Sequence, residues 1–256
     1  MRSVLEVGGR RLPFLRWSVL RMALGSRKLL KDWQVGDGRE EALAGYVVAN
    51  ARQGDPDDVI RVIDDFCMNR SVMINVGDEK GEILDRAVRR ASPALVLELG
   101  TYCGYSALRM SRIVPAGARI VSIEFSPANA DIARRIWDHA GLGDEVTAVV
   151  GTLGDGGSTI NRLTTEHGFG QGAVDFVFID HDKAAYLPDL ERITGEGWLH
   201  QGSIVVADNV RFPGAPEYRA HLREQEGKTW QTAEHDTHVE YQSLIKDLVL
   251  ESEYLG

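Results

Sequence analysis

The chain has 256 residues, 43% hydrophobic and 26% charged, the profile of a globular domain rather than a disordered or fibrous one. No run reaches the roughly 18 uncharged apolar residues of a membrane-spanning helix. Two cysteines, Cys67 and Cys103, are too few for a disulfide framework and lack the companions of a metal site. They imply reduced thiols in a cytoplasmic protein, and a net charge of −9 argues against nucleic acid as partner.

The first 31 residues run against that acidity, with eight Arg and Lys side chains and one acid, Glu6. Residues 1–40 read as a basic extension and linker, and 41–256 as one domain. Within 10–31, Leu12, Leu15, Val19 and Met22 fall on one helical face, whereas Trp17, Leu20 and Leu24 do not. Such a segment suits an interfacial helix making peripheral membrane contact with anionic lipid. The alternative is a helix packed on the acidic body, or a floppy extension. Arg16 and Arg21 interrupt the apolar stretch and no clear cleavage site follows, which fits a signal peptide poorly.

From residue 40 the pattern becomes regular. Residues 40–52 read as a helix stopped at Gly-Asp-Pro, and 56–69 as a second, with Asp55 as N-cap and Pro56 in the first turn. A third covers 75–91. Apolar runs of strand length follow at 94–99, 118–124, 145–151, 173–180 and 202–208, separated by segments of helical character. After residue 215 come a helix and two strand candidates, near 228–235 and 242–251. Near-continuous apolar strands alternating with helices predict an α/β fold. The expected architecture is a doubly wound, Rossmann-like, mostly parallel seven-stranded sheet, with helices on both faces and extra N-terminal helices.

In such sheets a ligand sits at the carboxyl ends of the strands. The first strand there ends VLELGTYCGYS (96–106), with Glu98 just before Gly100 and Gly104 four residues on. A dinucleotide fingerprint, GxGxxG, is absent. A carboxylate at Glu98 repels a pyrophosphate and suits a cation. Glu124, ending the next strand, is placed to bind a ribose diol. A ribose, a positive centre and no phosphate describe S-adenosylmethionine. The alternative is that Glu98 caps local amides and Glu124 is solvated.

Farther along, Asp180 ends one strand, with His181, Asp182 and Lys183 behind it, and Asp208-Asn209 end the next. Asp180, Asp208 and Asn209 offer three oxygen ligands, two anionic, which suits Mg2+ with open positions for two substrate oxygens. Lys183 is then placed as a general base. The alternative is that these acids cap the helices that follow.

With these residues in view, the chain resembles the catechol O-methyltransferase family from roughly residue 46 to 256. NVGDEKG, LELGTYCGYSA, IVSIE, FIDHDK, YLPDL, ADNV, FPGAP and HVEY occur in that family's order and spacing. The resemblance implies a fold and an activity, methyl transfer from S-adenosylmethionine to one hydroxyl of a catechol-type, vicinal dihydroxy aromatic small molecule. It implies Asp180, Asp208 and Asn209 as Mg2+ ligands, Lys183 as base and Glu240 as partner of the second hydroxyl. It implies Val76, Glu98, Gly100, Tyr102, Ser106, Glu124, Asp180 and His181 around the cofactor, and Pro213 in an apolar substrate wall.

The substrate pocket departs from the family pattern. Val72 stands where a tryptophan is expected, Ile74 where a methionine is, and Asp182 where a second tryptophan is. Leu153 and Gly154 replace polar residues near the adenine. The expected pocket is wider, which leaves caffeoyl or flavonoid diols as alternative substrates. Asp182 also reads as a solvated helix-start acid. A non-catalytic cofactor-binding partner protein is the competing class, and the retained Asp180, Lys183, Asp208, Asn209 and Glu240 argue against it.

Overall fold

The computed structural model describes residues 5–7, 10–12, 37–241 and 244–256. Two short strands, β1 (Leu5–Val7) and β2 (Arg10–Leu12), pair antiparallel, with Leu5 opposite Leu12 and Val7 opposite Arg10. The helix expected over 10–31 is therefore corrected at its first residues. Gly8-Gly9 between two short apolar-basic runs is the hairpin signal that a helical reading passes over. The remainder of that expected helix lies outside the described residues. No helix among the described residues is long and apolar enough to cross a membrane.

Three helices follow, α1 (Arg39–Asn50), α2 (Pro56–Asn69) and α3 (Gly77–Ala91). The start of α2 is set by sequence. The Asp55 carboxylate accepts from the Asp58 amide at 3.0 Å, and Pro56 occupies a position whose amide would be unpaired in any case. Val59, Ile60, Val62, Ile63, Phe66 and Cys67 then form its buried stripe. The alternating part runs β3 (Leu95–Leu99), α4 (Tyr105–Ser111), β4 (Arg119–Glu124), α5 (Pro127–Ala140), β5 (Val146–Val150), α6 (Ser158–Glu166) and β6 (Val174–Ile179). It continues with a 3-10 turn at Lys183–Ala185, α7 (Tyr186–Gly195), β7 (Leu199–Ala207), a wide turn at Val210–Gly214, and α8 (Pro216–Glu224). Two long strands, β8 (Trp230–His238) and β9 (Lys246–Tyr254), end the chain.

The seven strands lie in the order β5-β4-β3-β6-β7-β9-β8. All neighbours up to β7 are parallel, and β9 runs antiparallel to both β7 and β8. The chain therefore reverses its direction of travel across the sheet between β3 and β6, which opens a crevice at their carboxyl ends. Strand parity sorts the core into two layers. Val96, Ile120, Phe176, Phe178, Ile204 and Val206 pack on α1 to α5. Leu97, Leu99, Val121, Ile123, Val177 and Val205 pack on α6 to α8. β7 begins three residues earlier than Gly202 suggested, with its first residues paired to β6 at Val174–Leu199. β9 begins at Lys246 rather than 242.

Candidate functional site

The strand ladder brings the predicted acids side by side. The Gly100 amide donates to the Ile123 carbonyl at 3.0 Å, the Asp180 amide to Leu99 at 2.9 Å and the Asp208 amide to Ile179 at 3.0 Å. The first residues past β3, β6 and β7 thus share one edge. Gly100 is required there. Its φ is 104°, and a Cβ would stand 2.5 Å from the Asp180 carbonyl oxygen. Gly104 (φ 81°) opens α4 with a Cβ direction aimed at the Trp137 indole, whose Nε1 donates to the Gly104 carbonyl at 2.8 Å. At both positions protein fills the place of the missing methyl.

On the β3–β4 side, Glu98 is wholly buried, and its two oxygens accept from the hydroxyls of Ser106 and Ser122. Thr101 Oγ1 completes the chain, 2.6 Å from Ser122 Oγ. Burial pushes the Glu98 carboxyl up to about 7, against the pull of both serine hydroxyls. The fold therefore favours the protonated form. Its contribution to stability is complete below the unfolded value of 4.5 and is lost as pH rises towards 7. Above that pH the buried charge costs on the order of 3 kcal/mol. Glu98→Gln carries no such charge, so its melting temperature should gain on wild type at pH 8 and lose that gain by pH 5. A constant difference across that range would refute the shift.

Glu124 is also buried, and burial raises its carboxyl above the usual range. It accepts from the Tyr102 amide at 2.7 Å and the Ser126 amide at 2.8 Å. A carboxylate oxygen has a second lone pair for a hydroxyl. Tyr102 takes a left-handed backbone (φ 48°) and donates its hydroxyl to Glu40 of α1 at 3.0 Å. Val76 is buried at the N-cap of α3. His181 Nε2 lies 2.8 Å from Asp189, while its buried Nδ1 has no partner among the described residues. Phe125, directly after Glu124, is 56% exposed, an apolar face at the rim of this side.

On the β6–β7 side, Lys183 Nζ donates to Asp180 at 2.9 Å and to the Tyr186 hydroxyl at 2.5 Å, and that hydroxyl donates to the Asp208 carbonyl at 2.9 Å. Asp208 is wholly buried, with Oδ1 taking the Asn209 amide at 2.6 Å. Burial pushes its carboxyl up to about 7. Lys80 counters this, and Asp180 and Glu240 add to it. Asn209, at φ 54°, donates Nδ2 to Glu240 at 3.1 Å and to Asp247 at 2.8 Å, which leaves its Oδ1 as the acceptor for a ligand. Glu240 thus joins the cluster from the β8–β9 connection.

The expected pocket residues sit around it with mixed roles. Val72 and Ile74 are half-buried, and the Val72 carbonyl accepts from Arg39 at 2.5 Å. Pro213 is exposed in the wide turn, next to Phe212, itself 49% exposed. Asp182 is exposed and accepts from the Ala184 amide at 3.1 Å, so it caps its own turn. Leu153 is buried in the α6–α8 core layer.

Sequence reasoning passed over Lys80 and Asp247. Lys80, buried on α3, donates to Glu240 and to Asp247 at 3.2 Å, and lies 2.8 Å from Asp208 Oδ2. Burial opposes its charge, but Asp208, Glu240 and Asp247 outweigh burial and hold its ammonium well above the usual range. Asp247 accepts from the amides of Phe212 (3.0 Å) and Leu248 (2.8 Å). The signal for Lys80 was available. It is the polar member of an α3 stripe that otherwise holds Ile83, Leu84, Ala87 and Val88.

Comparison with known proteins places this geometry. A family model for O-methyltransferases matches residues 60–242. A probable O-methyltransferase of Mycobacterium tuberculosis is 62% identical over 92% of this chain and 100% of its own length. Catechol O-methyltransferase B of Danio rerio is 43% identical over 85% of this chain and 80% of its own. Among solved structures, the O-methyltransferase from Bacillus cereus in complex with SAH shares the fold, with a TM-score of 0.62 at 20% identity, over 93% of this chain and 98% of that one. The sheet order, the paired acids at its carboxyl edge and these relatives agree: the chain belongs to the O-methyltransferase family, in its catechol O-methyltransferase-like group.

Proposed function

We propose that the chain transfers a methyl group from S-adenosylmethionine to one hydroxyl of a catechol-type substrate, with Mg2+ held by Asp180, Asp208 and Asn209. The observation that carries this reading is a charge surplus. The carboxylates of Asp180, Asp208, Glu240 and Asp247 face two ammonium groups, Lys80 and Lys183, at one strand edge. Counted with every group ionised, the formal excess is two negative charges, which one divalent cation would balance. No cluster of three or more His, Cys, Asp or Glu side chains suited to a metal occurs among the described residues. The Asn209 amide oxygen would complete the set, as a hard donor that suits Mg2+. For the cofactor, Glu124 offers a carboxylate oxygen to a ribose hydroxyl, and the unpartnered His181 Nδ1 fits a heterocyclic hydrogen-bond partner.

When bound, S-adenosylmethionine supplies a methyl on a sulfonium, and the cation supplies positive charge beside the reacting oxygen. The chain does the rest. Lys183 Nζ, held by Asp180 and Tyr186, would first give up its own proton to solvent and then, as the free amine, take the proton of the reacting hydroxyl. Glu240 accepts from the second hydroxyl and so sets the ring's orientation. Phe212 and Pro213 offer the ring an apolar flank. We read residues 41–256 as the catalytic domain and 1–40 as an appendage. The buried Cys67 and Cys103, in no disulfide, fit a cytoplasmic setting.

Methyl transfer from labelled S-adenosylmethionine to a catechol panel, with Mg2+ and with a chelator, tests the proposal. Transfer that needs both a vicinal diol and the metal is expected. Transfer to none of the panel overturns the substrate class, and transfer untouched by the chelator overturns the metal. Asp182 caps its own turn where the resembling family carries a tryptophan, and the loss of that ring supports bulkier caffeoyl or flavonoid diols as a second reading. Exclusive use of small apolar catechols would sink it.

A further inference from the structure

Lys80 is the most buried ammonium of the site, and nothing in the reaction proposed above uses it. It stands one turn into α3, where the chain is tied three times over to the end of β8 and the β8–β9 connection. A Cβ on Gly77 would lie 3.3 Å from the Glu240 Cβ. Glu79 accepts from Thr237 Oγ1 at 2.9 Å and lies 3.3 Å from His238 Nδ1. Lys80 itself donates to Glu240. Through Asp247 it also reaches the wide turn, because Asp247 holds both Asn209 Nδ2 and the Phe212 amide.

The three carboxylates around Lys80 are not held alike. Glu240 and Asp247 accept its hydrogen bonds. Asp208 Oδ2 is only 2.8 Å away, yet it is a buried oxygen with no hydrogen bond of acceptable geometry among the described residues. That contact is one of charge alone. It is the one a divalent cation can take over, since a carboxylate oxygen without a directed hydrogen bond exchanges partners without stranding a donor.

We propose that Lys80 is a positioning residue that serves as the internal counter-cation of the metal site. It fixes Glu240 and Asp247 permanently and holds Asp208 Oδ2 until a divalent cation replaces it there. The proposal rests on the reading of Asp208 as a metal ligand. Two consequences follow with opposite signs. Taking the ammonium away leaves the site more negative and strengthens its grip on a divalent cation. The same change leaves Glu240 with only Asn209 Nδ2 of its two site donors, loosens the orientation the reaction needs, and so slows turnover. A residue of merely structural value would lower both quantities together. Arginine at this position has the reverse effect on the cation, because its planar fork engages a carboxylate with two directed hydrogen bonds and does not release it readily.

The test is Mn2+ affinity, read from the loss of its free electron-paramagnetic-resonance signal, beside kcat for a catechol, in wild type, Lys80→Met and Lys80→Arg. Expected are an affinity at least about fivefold tighter and a kcat at least about tenfold lower in Lys80→Met, with Mn2+ at least about fivefold weaker in Lys80→Arg. Folded Lys80→Met that binds Mn2+ as wild type does, or more weakly, overturns the proposal. If Lys80→Met does not fold, Lys80→Arg decides alone: weaker binding supports the proposal and unchanged binding overturns it. Binding in none of the three proteins removes the metal reading itself, a result distinct from binding that ignores residue 80.

Discussion

Asp208→Asn should lose methyl transfer by about 10^3-fold or more in kcat/KM while keeping its affinity for S-adenosylmethionine within about threefold. The size follows from two roles meeting in one side chain. Asp208 supplies one of the two anionic oxygens of the candidate cation site, and it lies wholly inside the protein, where charge is least screened. Asparagine keeps the shape and keeps an oxygen for the Asn209 amide, so the turn after β7 survives. Stability should hold as well. Burial already pushes the Asp208 carboxyl up to about 7, so the neutral side chain removes a charge the interior resists. Single-turnover transfer and calorimetric cofactor titration check both halves. Activity within about tenfold of wild type would remove Asp208 from the reaction.

Lys183→Met should cut kcat by about 10^2- to 10^4-fold, the range expected for losing a positioned general base. The substituted side chain fills similar space above Tyr186, and Asp180 remains for the cation. Substrate KM and cofactor affinity should therefore change little. The residual rate should climb with pH farther than that of wild type, because solvent base must take the proton Lys183 Nζ no longer receives. A kcat within about threefold of wild type would assign the proton to another group, with the Tyr186 hydroxyl, 2.5 Å from Lys183, next in reach.

Much of this site was legible because strand ends are legible. Apolar runs that stop at Glu98, Glu124, Asp180 and Asp208 announce both the strands and the edge where a ligand sits, and parallel pairing then sets Gly100, Asp180 and Asp208 in a row. Glu240 could be named only through a motif, HVEY, since no periodicity points from a hairpin connection to a site sixty residues upstream. Lys80 was missed for a physical reason. Its charge sits on the buried stripe of α3, and whether such a lysine snorkels out or turns inward depends on three carboxylates from β7 and the β8–β9 segment. Asp182 shows the converse. Its departure from the family pattern suggested a changed pocket, and in the structure it is spent on its own turn. The strand at Arg10–Leu12 was lost because a basic, leucine-bearing stretch reads equally well with a period of 3.6 or of 2.

The order of strands at the sheet's far edge bears on how the protein is made. β8 has a single neighbour in the sheet, β9, and β9 follows it in the chain, so β8 has no partner until β9 is made. Until β9 slides in between, β7 presents an open edge and nine residues of β8 hang unpaired beside it. A chain without β9 would leave the β7 edge open, an adhesive border. A stop or a cut before Lys246 would leave the chain in that state, which makes such fragments candidates for aggregation and for chaperone capture rather than for partial activity.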